Sequence, residues 1–185
     1  MCSGDPSIYS AVAEQNRRLD EAGVPWDVTP EVPAYVAADS LIGKELTAPE
    51  VVQTVILTRA QKESTSMPET ERLEYLAASR ATLAIHLAIR HIARLQEQLL
   101  PHYGSGCSVV IAGKATQTDQ QVIRTTVASM HDAAVASGLR QATIILVGEA
   151  LRAEDFVEPY LYSSSELKRF LHNVFPARAP RPRRV

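Results

Sequence analysis

The sequence predicts an α/β fold in which a sheet is covered on both faces by helices. Three observations carry that reading. Apolar runs of strand length, rich in branched side chains, recur along the chain. Stretches with helical apolar spacing alternate with them. The strand runs are unbroken rather than alternating, the pattern of strands buried on both sides.

In order, Ser3 to Gln15 (SGDPSIYSAVAEQ) reads as a tight turn feeding a helix. Gly4 can take backbone angles closed to other residues, Asp5 can cap orphan amides, and Pro6 presets a helical φ. The helix passes through Ala11, Ala13 and Leu19 and stops at Gly23, with Pro25 beyond. Trp26 to Thr29 reads as a short strand. Pro30 to Pro33 turns the chain into a small-residue helix through Ala34, Ala37, Ala38 and Leu41. Lys44 to Pro49 is a connector between lobes, with the boundary near Thr47 (1–46 and 47–172).

Val51 to Leu57 is the next strand, followed by a polar loop from Arg59 to Thr70. Glu69 to Ala78 is a short helix, Thr82 to Leu87 a strand, and Ile89 to Leu100 a helix with Ile92, Leu95 and Leu99 on its stripe. Ser108 to Ala112 and Gln120 to Thr125 are strands, Val127 to Ser137 is a helix stopped by Gly138, and Thr143 to Val147 is the last strand. The tail, 173–185, is rich in Pro and Arg and lacks the apolar content to fold, so disorder is expected there.

The 185 residues suffice for one or two domains. A net charge of −2 supplies no field suited to nucleic acid or to an anionic membrane, so neither is an expected partner. Any anionic ligand must be met by local cations, and Arg59, Arg90, Lys114 and Arg124 lie at strand ends or in adjoining loops. Two cysteines, Cys2 and Cys107, make no disulfide framework or metal knuckle. No apolar run approaches the ~18 residues of a membrane span, and the expected location is the cytoplasm.

No phosphate-binding glycine loop, carboxylate pair or nucleophile constellation is present. His86 and His91 are five apart, whereas paired metal ligands on a helix stand three or four apart. They read as separate core or edge histidines, and no protein-bound metal is expected. Asp39, Glu45 and Glu50 read as solvated faces. A turn such as Gly4-Asp5-Pro6 is, by itself, an ordinary helix approach, yet in open α/β sheets such turns are also where ligands bind. The strand that should precede it would lie before Met1, so the chain is expected to be the back part of something longer.

Collinear motifs add a resemblance. Ser3-Gly4-Asp5-Pro6-Ser7-Ile8-Tyr9 resembles the HSGDPSIYGA loop of the class III tetrapyrrole methyltransferases. Glu45 to Glu50 with Gln53 to Arg59 is similar to that family's ELTLPE…QTVILTR, Ala81 to Ile85 to its ATLAIFL, and Ile145 to Leu151 to its ILVGPAL. The match runs from about residue 3 to 171.

The resemblance implies a tetrapyrrole methylase fold of two α/β lobes, the first incomplete, with S-adenosyl-L-methionine bound between them. It implies methylation of a precorrin ring, at the C11 position, in cobalamin biosynthesis, by a homodimer acting on a small-molecule tetrapyrrole. Carried over by position, the cofactor contacts are Ser3, Gly4, Asp5, Ile8, Pro33, Ala34, Leu87 (at the end of the central strand) and Ala115; no proton-abstracting residue is assigned. A non-catalytic or decayed module kept for binding or dimerisation is the alternative. Four departures stand out, one of them Glu149 in place of the proline of VGPAL. Glu31 replaces the glycine of a Pro-Gly-Val turn and would strain it if a positive φ is required. Ser10 replaces glycine after the Ile-Tyr pair. Gly113 to Gln120 lacks both aromatics of YRASWPDQ, which would be natural surfaces for a tetrapyrrole face.

Overall fold

A computed structural model describes residues 4–60 and 67–152. The helices are α1 (Val12–Glu21), α2 (Ala34–Ile42), α3 (Leu73–Ala78), α4 (Ile92–Tyr103) and α5 (Met130–Ser137). The strands are β1 (Val55–Arg59), β2 (Thr82–His86), β3 (Ser108–Gly113), β4 (Gln121–Thr126) and β5 (Thr143–Val147). They form one sheet in the order β1-β2-β5-β3-β4. Only β1 and β2 are parallel; β5 runs antiparallel to both β2 and β3, and β4 antiparallel to β3.

The sheet is covered on both faces, as the unbroken apolar runs predict. On one face Leu83, Ile85, Val109, Ile111, Ile145 and Val147 pack against α3, α4 and α5 through Leu73, Leu95, Leu99 and Met130. On the other, Ala84, Val110, Ala112, Ile144 and Leu146 meet Ala38 and Ile42 of α2. Alanines at the contact let α2 lie close on the strands. The central strand is β5, sealed between β2 and β3 with residues 144–147 at most 1% exposed. β2, which ends beside Leu87, is therefore the neighbour of the central strand and not the central strand itself.

Helix ends follow the glycines. After α1, Gly23 takes φ +64°, its N–H reaches the Asp20 carbonyl at 3.0 Å and the Val24 N–H reaches Leu19 at 2.9 Å, a paired closure of the last turn. Gly43 and Gly138 end α2 and α5 in the same left-handed conformation.

Several boundaries depart from expectation. The first helix starts at Val12, not after Pro6, because Tyr9 and Ala11 both sit at positive φ and interrupt the run. Asp5 accepts hydrogen bonds from the Ser7 N–H (2.8 Å) and hydroxyl instead of capping the helix. Trp26 to Thr29 forms no strand. No described strand lies alongside to take its backbone groups, and the Trp26 indole donates to Asp20 at 2.8 Å. α1 buries none of its side chains, and its Glu14, Arg17, Arg18 and Glu21 pair among themselves. β1 begins at Val55, because Val51 and Val52 belong to a turn closed by the Val52 N–H on Ala48 at 3.0 Å. Arg59 ends that strand rather than opening a loop, whose residues 61–66 lie outside the described ones. α4 runs through Pro101 in its last turn to Tyr103, whose buried hydroxyl donates to the Ala81 carbonyl. The 173–185 tail also lies outside the described residues. Among the described residues no helix is long and apolar enough to cross a membrane.

Ile145 is fully buried in the middle of the central strand. Ile145→Ala is expected to cost about 2–5 kcal/mol in urea unfolding, through lost burial and a residual cavity. A loss under about 1 kcal/mol would show that β5 is not sealed as described.

Candidate functional site

The sheet topology brings three chain turns to one edge. His86 at the end of β2 pairs with Ile144, and Gly113 at the end of β3 pairs with Thr143, so β5 begins where β2 and β3 stop. A cleft of about 700 Å³ lies at this edge. Carboxyl ends of strands in open α/β sheets commonly host ligands, and this volume suits a ligand of cofactor size.

Of the residues singled out from the sequence, Gly4, Ala34, Leu87 and Ala115 line this cleft together. Asp5 and Pro33 adjoin lining residues in sequence without lining it themselves, Ile8 is not among the lining residues, and Ser3 lies outside the described residues. The small side chains of Gly4, Ala34, Ala112, Ala115 and Ala142 leave backbone open to an occupant.

Backbone strain concentrates at the same place. Leu87 (φ +54°), Lys114 (φ +50°), Thr116 (φ +70°) and Ala142 (φ +50°) all hold left-handed conformations that cost non-glycine residues energy, and all four line the cleft. Such residues gather at functional sites, where surrounding structure holds them in place. Leu87 is also 49% exposed, an apolar side chain offered to the cleft rather than to the core. No sequence signal marked these angles, because left-handed leucine, lysine and threonine are set by tertiary turns.

The charge of the lining is predominantly positive. Among the described lining residues, Arg90, Lys114 and Arg140 contribute cations against a single carboxylate, Glu31. Arg90 Nε donates to the Arg140 carbonyl at 3.4 Å, and Lys114 pairs with Asp119 across its own loop. Of the cations named from sequence, Arg90 and Lys114 are therefore at the site. Arg59 stands at the end of β1 outside it, and Arg124 donates to the Ile42 carbonyl at 3.3 Å, tying β4 to the end of α2. Arg140 was not singled out; its loop position after Gly138 gave no periodic signal.

His86 and His91 both line the cleft, the first on β2 and the second just before α4. Among the described residues no group of three His, Cys, Asp or Glu side chains comes together to hold a metal ion. The His86 ring lies 5.3 Å from that of Tyr9, tilted by 60°. Burial holds its pKa below the ordinary histidine value. The Cys107 thiol, buried behind β3, is pushed up to about 12 by burial and stays protonated.

The departures resolve as follows. Glu31 does not adopt a positive φ, so it does not strain its turn in that way. The Ser10 hydroxyl donates to the Pro6 carbonyl and closes the opening loop. The loop without aromatics is knit by Gln117 N–H on Lys114 O (2.9 Å) and Thr116 N–H on Gln120 Oε1 (3.0 Å). Asp39 is not on a solvated face. Its Oδ1 is buried without a partner among the described residues, in a separate apolar hollow of about 490 Å³ under α2 and β1. Burial first, and Glu45 second, raise its pKa.

The model of the Tetrapyrrole (Corrin/Porphyrin) Methylases matches residues 1–131. A protein of Pseudomonas aeruginosa named precorrin-4 C(11)-methyltransferase is 48% identical over 160 residues, 86% of this chain and 64% of that protein. A Rhodococcus erythropolis protein of the same name is 45% identical over 163 residues, 88% of this chain and 66% of its own. The chain thus spans slightly less than two thirds of the length of these curated relatives. A solved structure described as a cobalt precorrin-4 methyltransferase of cobalamin biosynthesis superposes with a TM-score of 0.75 at 36% identity, over 80% of this chain and 62% of that one.

The half-buried imidazole yields a prediction. As pH falls, the unfolded chain takes up the His86 proton first. Stability is therefore lost through the ordinary histidine range and levels off below the lower folded-state pKa. An NMR titration should place the His86 midpoint below ~6.5. A midpoint at or above that value would show the ring to be solvated.

Proposed function

The chain belongs to the tetrapyrrole (corrin/porphyrin) methylases, and from that premise we propose that it serves S-adenosyl-L-methionine-dependent methylation of a precorrin ring at C11 in cobalamin biosynthesis. The observation that carries the reading is identity of 45–48% to relatives named for that reaction, across 86–88% of this chain. The metal-free ring is the favoured substrate, because those two relatives lie nearer in sequence than the cobalt precorrin-4 enzyme at 36%. The relatives are named as enzymes, which disfavours a non-catalytic module.

In this reading the cofactor occupies the cleft against Gly4, Ala34, Leu87 and Ala115, and the family resemblance adds Ser3, Asp5, Ile8 and Pro33 to its contacts. The fit rests on the cleft's size, its small-residue walls and the exposed Leu87 side chain. The bound donor supplies an electrophilic methyl group. The chain's part is positional: a strained, pre-set wall aligns donor and ring carbon and keeps water out. Arg90, Lys114 and Arg140 stand ready for ring carboxylates, which the missing loop aromatics leave to charge rather than stacking. We also take the protein as a cytoplasmic homodimer, without nucleic-acid partners and divided near Thr47. All five strands follow that point.

Isothermal titration with S-adenosylhomocysteine should give one-to-one binding with a Kd on the order of micromolar. Ala34→Leu, at an exposed position on the cleft wall, should weaken it about tenfold with the melting temperature unchanged. Absence of binding by the parent chain would sink the reading.

A further inference from the structure

His86 closes β2, and its imidazole carries two ring nitrogens able to hydrogen-bond. Its side chain shares the α2-facing side of β2 with Ala84, because alternate strand residues point to one face. Nε2 is buried and has no hydrogen-bond partner among the described residues. A buried ring nitrogen left unpaired costs free energy, and native structures satisfy such groups with protein, water or ligand. The residue lines the cleft.

Two neighbours say which occupant it meets. Leu87, the next residue, is turned into the cleft by its left-handed backbone. Across the ring stands Tyr9, on the loop that begins with Gly4 and closes through Ser10 on Pro6. His86 is thus held between two segments that the proposed function assigns to the cofactor. The cations of the cleft, by contrast, stand on other segments, at Arg90, Lys114 and Arg140. The tilted ring contact with Tyr9 packs the imidazole against the opening loop.

We infer that His86 is a binding residue of the S-adenosyl cofactor, its Nε2 making a hydrogen bond to a polar edge of that ligand while Tyr9 holds the ring in place. The inference rests on the proposed cofactor site.

The test is titration of the full chain and two variants with S-adenosylhomocysteine. His86→Phe keeps a ring against Tyr9 but removes Nε2. His86→Gln loses the ring while placing an amide nitrogen near the Nε2 position. Loss of one buried hydrogen bond predicts affinity about five- to tenfold weaker in His86→Phe. His86→Gln should stay within about threefold of the parent chain. The reverse order, Phe retained and Gln lost, would assign His86 to packing against Tyr9 and overturn the inference. A second readout needs no variant: the His86 Nε2 resonance should shift on adding S-adenosylhomocysteine, and an unmoved resonance in a chain that binds would overturn it equally. A parent chain that binds nothing would instead remove the cofactor reading beneath it.

Discussion

The structure depends on the insertion of β5 between β2 and β3. The first of these pairs is antiparallel from Leu83↔Val147 to His86↔Ile144 and the second from Val109↔Val147 to Gly113↔Thr143. Every backbone group of the inner strand is thereby offered a partner on one side or the other, which is what permits its nearly complete burial. The register also decides the faces. A slip of one residue would send Ile145 and Val147 to the α2 side and Ile144 and Leu146 to the α4 side. Two unequal layers, one of large residues and one containing alanines, make such a slip costly.

The same insertion builds the cleft. Because β5 opposes both neighbours, the turns after β2 and β3 and the turn before β5 leave the sheet together. Each turn is tight, and each holds a non-glycine residue at positive φ: Leu87, Lys114 and Ala142. The Lys114 N–H donates to the Ala142 carbonyl at 2.8 Å, locking two of the turns to each other. The energy that burial of the strands supplies is partly stored there as backbone strain. A wall held this way reorganises little when a ligand arrives, which suits chemistry achieved by alignment rather than by acid–base groups.

Much of this was legible in the residue order. The apolar runs at Thr82 and Thr143 are buried strands within one residue of the expected ends, and Gly23 and Gly138 stop helices by the conformation expected of them. Gly4, Ala34, Leu87 and Ala115, far apart in the chain, converge on one cleft. What was not legible was pairing. Trp26 to Thr29 has strand-forming residues but no edge beside it among the described residues, and Val51 and Val52 were drawn into a turn by hydrogen bonding to Ala48. Asp39 looks like a surface carboxylate in sequence, and only the packing of α2 over the sheet buries its Oδ1.

By itself, the sequence determined most of the element types, the helix stops and, through collinear motifs, the family. Those properties are local, set by side-chain period and by the few residues that tolerate special φ values. The tertiary structure alone decided that the sheet is mixed, that β5 is its centre, and that His86, Arg90 and Arg140 share a cleft with Leu87. The reason is physical: strand order and the meeting of distant turns are settled by backbone pairing across the sheet, and nothing in a linear pattern records which edges will meet.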